Sequence, residues 1–379
     1  MKNVLEVFWQ FLLLGLMSFG GPAAHIGYFQ KTFVQQLHWL DDSSYARLIS
    51  LSQFLPGPGS SQIGFAIGLQ RAGLFGGFAA FIGFTLPSFM LLYLLASQSV
   101  SHDSDLLNNV IHGLKLLAVV VVADATLSMF NSFCTNRLAK SICIFSAALL
   151  LLMPSLYTQM MVLVVGAVIG ILFGTVNTET TPSQVKVKWL PLLLFALLFL
   201  GLPLVAGQSQ WLELTNGFYT SGSLVFGGGH VVLPLLQETL TDSVSTDRFL
   251  MGYAAAQAVP GPMFSVAAFL GADMLVEHSL SAALLATIAI FLPGFLLVLG
   301  LQGAWQTLAQ KPKVAAAVWG INAAVVGLLL SALYHPVFTS AVNSAEEMSL
   351  VLIGFFVLRQ FKLPIVALVL AFTLVGSFW

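Results

Sequence analysis

The chain has 379 residues, of which 58% are hydrophobic and 8% charged, and its formal net charge is −1. Apolar segments of bilayer-spanning length recur from start to end, so the chain reads as an all-α polytopic membrane protein with no soluble domain. That composition excludes an outer-membrane barrel, since no two-residue alternation is sustained, and offers nothing to a nucleic acid. No GxxxxGK[ST] phosphate loop is present, so any ATP hydrolysis would need a separate subunit. The two cysteines, Cys134 and Cys143, lack companion ligands and read as inert core, which leaves no metal site and no cofactor to expect.

In chain order, apolar elements fall at 3–29, 45–70, 72–97, 106–130, 138–153, 155–174 and 189–207, then at 210–236, 249–274, 279–303, 314–334, 348–358 and 363–379. The first has no small-residue cleavage site and runs into a Gly-rich motif, so it reads as mature protein. Four elements are interrupted where a membrane helix should be continuous. "FGGPAAH" carries Phe19, Gly20, Gly21 and Pro22, and "PGPGSSQ" carries Pro56, Gly57, Pro58, Ser60 and Ser61. "FGGGHVV" follows with Phe226, Gly227, Gly228, Gly229 and His230, and "PGPMFS" with Pro260, Gly261 and Pro262.

The interruptions recur in order. An offset of 207 lays Glu6, Phe11, Gly15, Phe19, Gly20 and Gly21 on Glu213, Phe218, Gly222, Phe226, Gly227 and Gly228. An offset of 204 lays Gln53, Pro56, Gly57, Pro58, Ser61 and Phe65 on Gln257, Pro260, Gly261, Pro262, Ser265 and Phe269. Leu86, Pro87 and Phe89 then match Leu292, Pro293 and Phe295, and Gly113 matches Gly320. The chain is two copies of one unit, divided as a first repeat core at 1–130, connecting transmembrane helices at 131–207 and a second repeat at 208–379. Paired Gly/Pro interruptions in corresponding positions of two halves are the sequence pointer to a transporter binding site.

Lys and Arg gather at Arg71, at Arg137 with Lys140, at Lys186 with Lys188, at Lys311 with Lys313, and at Arg359 with Lys362, which marks those loops as cytoplasmic. The intervening turns carry acidic residues only, such as Asp103, Asp105 and Glu277. This alternation sets Arg71 and its counterpart loop after 274 on opposite sides, so the repeats are inverted. If every element spans, the chain crosses thirteen times; if the interrupted elements are re-entrant hairpins, it crosses nine times and folds four hairpins. The N-terminus is cytoplasmic and the C-terminus external either way. Lys31 and Arg47 flank the first discriminating loop, while Glu238, Asp242 and Asp247 dominate the second, which favours hairpins without excluding full spans.

Irregular backbone at membrane depth is tolerated only where protein buries it or a watery cavity meets it. Helices restarting after Pro58 or Pro22 would present free N–H groups, and each helix N-terminus acts as roughly half a positive charge. Four such ends would offer about +2, suited to a divalent oxyanion. Close helix packing by Gly and Pro is the alternative use of these residues.

"FGGPAAHIGYF", "QFLPGPGSSQIGFAIG", "FGGGHVVLPLL" and "QAVPGPMFSVAAFLG" resemble the signature motifs of the chromate ion transporter family in its long two-domain form. The resemblance implies a secondary carrier of the bacterial inner membrane that exports chromate and confers chromate resistance. It further implies sulfate as a related oxyanion; the composition itself makes the lipid bilayer a partner, and a homodimer is an assembly to test. A sulfate or other oxyanion permease, or an anion channel, would use the same broken-helix site. An intramembrane chromate reductase would need a redox cofactor or reactive thiol, and with no nucleotide fingerprint, haem motif or CxxC the chain does not read as an enzyme.

Among side chains, Lys115 lies in the otherwise apolar "IHGLKLLAVVVVAD", about one turn from His112, and either faces a cavity or snorkels to the membrane edge. Gln53 and Gln257 stand one turn before each PGP and can donate amide protons to oxyanion oxygens. They are favoured over His25 and His230. Asp124 could pair with another helix or exchange a proton, and Glu6 and Glu213 match across the repeat.

Overall fold

The computed structural model describes residues 2–19, 21–99, 105–174, 187–226, 231–240, 243–304, 311–361, 363 and 365–377. Gly20, Gly227, Gly228, Gly229 and His230, expected in the site, lie outside these residues, as do Asp103, Lys186, Asp242 and Lys362. Sixteen α-helices make up the described chain, with no strand among the described residues. Among the described residues, six helices are long and apolar enough to cross a membrane, as a polytopic chain requires.

In chain order the helices are α1 (Lys2–Met17), α2 (Gly21–Phe29), α3 (Asp42–Phe54), α4 (Gly59–Ser99), α5 (Asp105–Phe133), α6 (Arg137–Leu152), α7 (Leu156–Phe173) and α8 (Trp189–Val205). The second half supplies α9 (Gln210–Leu224), α10 (Val232–Leu240), α11 (Thr246–Ala258), α12 (Val266–Met274), α13 (Ser279–Leu301), α14 (Pro312–Ala332), α15 (Ala345–Phe361) and α16 (Ile365–Ser377). Side-chain caps begin several of them: Asp41 accepts from Ser44 N (2.6 Å), Asn136 from Ala139 N (2.8 Å) and Ser155 from Thr158 N (3.1 Å). Each satisfies an N–H that the first turn leaves open. α4 is two helices joined at a sharp corner, where Gly73 has a φ of +66°.

The chain divides into two compact units. Unit 1 comprises Met1–Ser101, Lys186–Gly229 and Ala255–Gly303; it holds α1 to α4, α8, α9, α12 and α13. Here each half builds an equivalent helix pair. α1 approaches α4 at Gly15, where an added Cβ would lie 2.7 Å from the Phe84 carbonyl oxygen, and α9 approaches α13 at the equivalent Gly222, against the Ile290 carbonyl. Such backbone proximity is what small residues provide where lipid gives no hydrophobic drive to associate. α8 has no counterpart in the first half and turns Leu190, Leu193, Leu197 and Leu204 outward.

Unit 2 comprises His102–Val185, His230–Ala254 and Ala304–Trp379; it holds α5 to α7, α10, most of α11, and α14 to α16. Matched pairs recur there. Gly113 of α5 meets Phe372 and Gly376 of α16, and its repeat mate Gly320 of α14 meets Gly166 and Gly170 of α7.

The interrupted elements of the first repeat are hairpins. Phe11 of α1 stacks on Phe33 with ring centroids 4.8 Å apart and meets Phe29 edge-on at 5.5 Å. Along one continuous helix, residues 11 and 29 would be about 27 Å apart, so the chain folds back between them. Trp39, just before α3, lies under the Arg71 guanidinium at 4.9 Å, and Arg71 pairs with Glu6 at 3.2 Å. The start of α1, the loop before α3 and the corner of α4 beside Arg71 therefore share one side. In the second repeat, α10 has 9 residues and α11 has 13. At 1.5 Å per residue they reach about 14 and 20 Å, short of the roughly 30 Å hydrocarbon core.

Candidate functional site

Both PGP breaks lie in unit 1, buried and built alike. After α3 the chain leaves helical geometry at Leu55; Gly57 adopts a φ of +125°, and α4 begins at Gly59. Gly261 repeats this with a φ of +105°. Both angles belong to the left-handed region that glycine enters without steric cost.

Each break is tied to the other half. Gly57 N–H donates to the Val225 carbonyl at 2.7 Å, and Gly261 N–H donates to the Ser18 carbonyl at 2.9 Å. Ser18 and Val225 are repeat mates, each immediately before an FGG motif. The packing is reciprocal too. A Cβ on Gly57 would lie 2.9 Å from Gly294 Cα, and a Cβ on Gly261 would lie 3.0 Å from Ser88 Oγ, where 88 and 294 are mates following Pro87 and Pro293.

The first break opens onto polar groups. Ser60, Ser61 and Gln62, in the first turn of α4, are 5%, 3% and 1% exposed. Gln62 N donates to the Pro58 carbonyl at 2.9 Å, so the N–H groups of Gly59, Ser60 and Ser61 precede the first helical bond of α4. Ser60 Oγ lies 3.2 Å from His25 Nδ1, whose ring holds the Ser18 carbonyl at 3.3 Å through Nε2. Among the described residues of this unit, four buried acceptor or hydroxyl atoms have no partner: Ser18 Oγ, Ser61 Oγ, Gln62 Oε1 and Thr85 Oγ1. Buried polar atoms are nearly always hydrogen-bonded, so each of these atoms is an exception.

The second break is less polar. Its helix begins with a tight turn at Met263–Ser265 in place of Gly-Ser-Ser. Ser265 Oγ is used by Ser88 Oγ at 2.6 Å, and Gln257 donates to Met263 Sδ at 2.6 Å.

Of the sequence candidates, unit 1 gathers Pro56, Gly57, Pro58, Ser60, Ser61, Gln257, Pro260, Gly261 and Pro262 as buried or half-buried groups around the two breaks. Gly21 starts α2 with a φ of +73°, followed by Pro22 in the first turn. Phe19 is 38% exposed and Phe226 is half-buried. Gln53 faces outward, unlike its mate Gln257. Lys115 belongs to unit 2, where its buried ammonium pairs with Asp247. Two more pairs arise from α5: His112 with Glu347 at 2.6 Å, and Asp124 with Arg359 at 3.0 Å. Asn322, the mate of Lys115, keeps a buried Oδ1 without a partner.

Gln62 is absent from the sequence candidates. Its amide nitrogen donates to the Pro56 carbonyl at 2.9 Å and the Gly294 carbonyl at 3.3 Å, pinning the break to α13. The available signal was a lone amide one turn into an apolar helix.

Helices that break at buried Gly/Pro motifs, present free amides and serine hydroxyls, and recur in two cross-tied repeats are the architecture of a multi-pass membrane transporter. The chain belongs to the chromate transporter family, whose model matches residues 5–171 and again residues 212–377. It is 26% identical to an uncharacterized transporter of Methanocaldococcus jannaschii, over 87% of this chain and 83% of that one. It is 25% identical to a probable chromate transport protein of Synechococcus elongatus, over 85% and 81% respectively. A chromate transport protein of Pseudomonas aeruginosa is 24% identical, over 86% and 79%. No solved structure matches the chain.

Proposed function

We propose that this protein exports chromate from the cytoplasm by alternating access and thereby confers chromate resistance, binding the oxyanion at the paired FGG and PGP breaks. The observation that carries this is the buried Ser61 hydroxyl, without a partner in the first turn of α4, where the amides of Gly59, Ser60 and Ser61 precede the first helical bond. Amide and hydroxyl donors without a fixed cation suit an anion that must bind and also leave. Desolvating an isolated ion in hydrocarbon would cost tens of kcal/mol, so several convergent donors are needed.

Export needs no further energy source. With the cell interior negative, expelling a dianion gains about 4.6 kcal/mol per 100 mV, at roughly 2.3 per charge. In this reading the Arg71 side is cytoplasmic, the chain crosses an inner membrane nine times, and the C-terminus is external.

The test is flux of labelled chromate in proteoliposomes of purified protein, with membrane potential and pH gradient imposed independently and unlabelled sulfate as competitor. Saturable chromate flux driven by potential alone is expected. Sulfate flux without chromate flux would overturn the chromate assignment, and flux without saturation would make the site a channel filter.

A further inference from the structure

His25 and Ser60 form a buried pair beside the first PGP break. Ser60 stands in the first turn of α4, and its Oγ lies 3.2 Å from His25 Nδ1. His25, in the re-entrant arm α2, is fully buried and sits edge-on to Phe84 with ring centroids 5.1 Å apart. The corresponding positions of the second repeat hold Val232 and Phe264, both buried. The pair is therefore present in one copy and missing as a unit from the other, and the shared scaffold does not require it.

The far side of the ring fixes where the protons lie. Nε2 faces the Ser18 carbonyl at 3.3 Å, and a carbonyl only accepts, so Nε2 carries the hydrogen. The same carbonyl accepts the Gly261 N–H at 2.9 Å, which anchors it to the second break. No charge near the ring favours a second proton. Of the charged and titratable groups on the surrounding elements, Lys31, Asp42 and Arg47 are exposed, Glu6 pairs with Arg71, and the Tyr45 hydroxyl donates to the Ile26 carbonyl. A buried imidazolium without a counter-charge is costly, so the ring is neutral and Nδ1 accepts. Ser60 then donates its hydroxyl proton to Nδ1, and its Oγ keeps only lone pairs for anything bound at the turn.

We infer that His25 and Ser60 select the protonated form of the oxyanion: Ser60 Oγ accepts the proton of hydrogen chromate, and repels an oxyanion that has none to give. This deepens the chromate reading of the first break and rests on it. The amides of Gly59, Ser60 and Ser61 offer donors to the bare oxygens, and the hydroxyl beside them offers one acceptor to the protonated oxygen. Two opposed oxygens with no hydrogen between them repel, and an acceptor left unpaired in a buried site costs the wrong ligand its binding. Hydrogen chromate holds its proton close to neutral pH, whereas hydrogen sulfate gives its proton up except in strong acid. Sulfate is thus turned away despite its similar shape. The ion carried has one negative charge and still moves outward down the membrane potential.

The test is potential-driven chromate flux in proteoliposomes of the full-length protein, at equal pH on both faces, across the range in which hydrogen chromate ionises. Half-saturating total chromate should rise about tenfold per pH unit on the alkaline side, as the protonated form is diluted, and sulfate should compete poorly throughout. Ser60→Ala removes the acceptor, so its half-saturation should change less than about threefold over the same range and sulfate should become an effective competitor, a gain that misfolding cannot imitate. Wild-type half-saturation that stays constant with pH, sulfate competing with wild type as strongly as chromate itself, or a Ser60→Ala profile identical to wild type would overturn the acceptor assignment and leave the chromate site standing. Absence of chromate flux at every pH would remove both, and the wild-type profile decides the matter even where the variant does not insert.

Discussion

The first break and the second share a backbone and differ in what lines it. Gly57 and Gly261 have similar dihedrals and reciprocal hydrogen bonds, yet one leads into Gly59-Ser60-Ser61-Gln62 and the other into Met263-Phe264-Ser265-Val266. Main-chain geometry has been kept in both copies, because a helix can be opened at membrane depth only if the freed N–H is recaptured. Side chains have diverged, so that Ser61 Oγ lacks a partner while its mate Ser265 Oγ is bonded to Ser88. The lesson is that repeat symmetry here predicts the scaffold and not the side chains that line it.

The comparison breaks most severely at the glycines. Gly57→Leu should abolish chromate flux in proteoliposomes, since its Cβ would press on Gly294 backbone in a φ region that costs leucine about 1–3 kcal/mol. Gly261→Leu should be the milder of the two, because its nearest obstacle is the rotatable Ser88 hydroxyl. Equal, normal flux in both variants would remove the breaks from the binding site.

Ser61→Ala should raise the half-saturating chromate concentration about tenfold, the equivalent of one hydrogen bond to a charged ligand at roughly 1.5 kcal/mol. Ser265→Ala should leave that concentration unchanged and cost about 1 kcal/mol in thermal unfolding, through loss of the Ser88 bond. Similar effects of the two serines on affinity would restore a symmetric site.

The smallest effect concerns Lys115. If its charge serves the anion path, Lys115→Met raises half-saturation; if it serves Asp247 alone, the single variant loses stability without a change in affinity. A double-mutant cycle with Asp247→Asn measures the pair, and coupling below about 0.5 kcal/mol would make it a bystander.

Much of the fold was legible because rare Gly/Pro triplets recur at near-constant offset, and because Lys31, Arg47 and Arg71 mark one side. The first-repeat hairpin preference agrees with Trp39 lying under Arg71. What stayed hidden depends on chain-distant neighbours. Gln53 and Gln257 look equivalent, but Met263, whose sulfur receives the Gln257 amide, has Gly59 as its mate. Asp247 and Glu347 lie far along the chain from Lys115 and His112, and no spacing rule links them. Gln62 escaped because its repeat mate is Val266, so no symmetry drew attention to it.

The reciprocal bonds also bear on synthesis. When residue 57 leaves the ribosome, the carbonyl that will receive its N–H is still 168 codons away at Val225, whereas Gly261 finds Ser18 already made. The first half must therefore hold its opened helix provisionally, in water or with a chaperone at the insertion site, until the second half arrives. Two separately expressed halves, cut between α7 and α8, would be expected to mature only when made in the same cell.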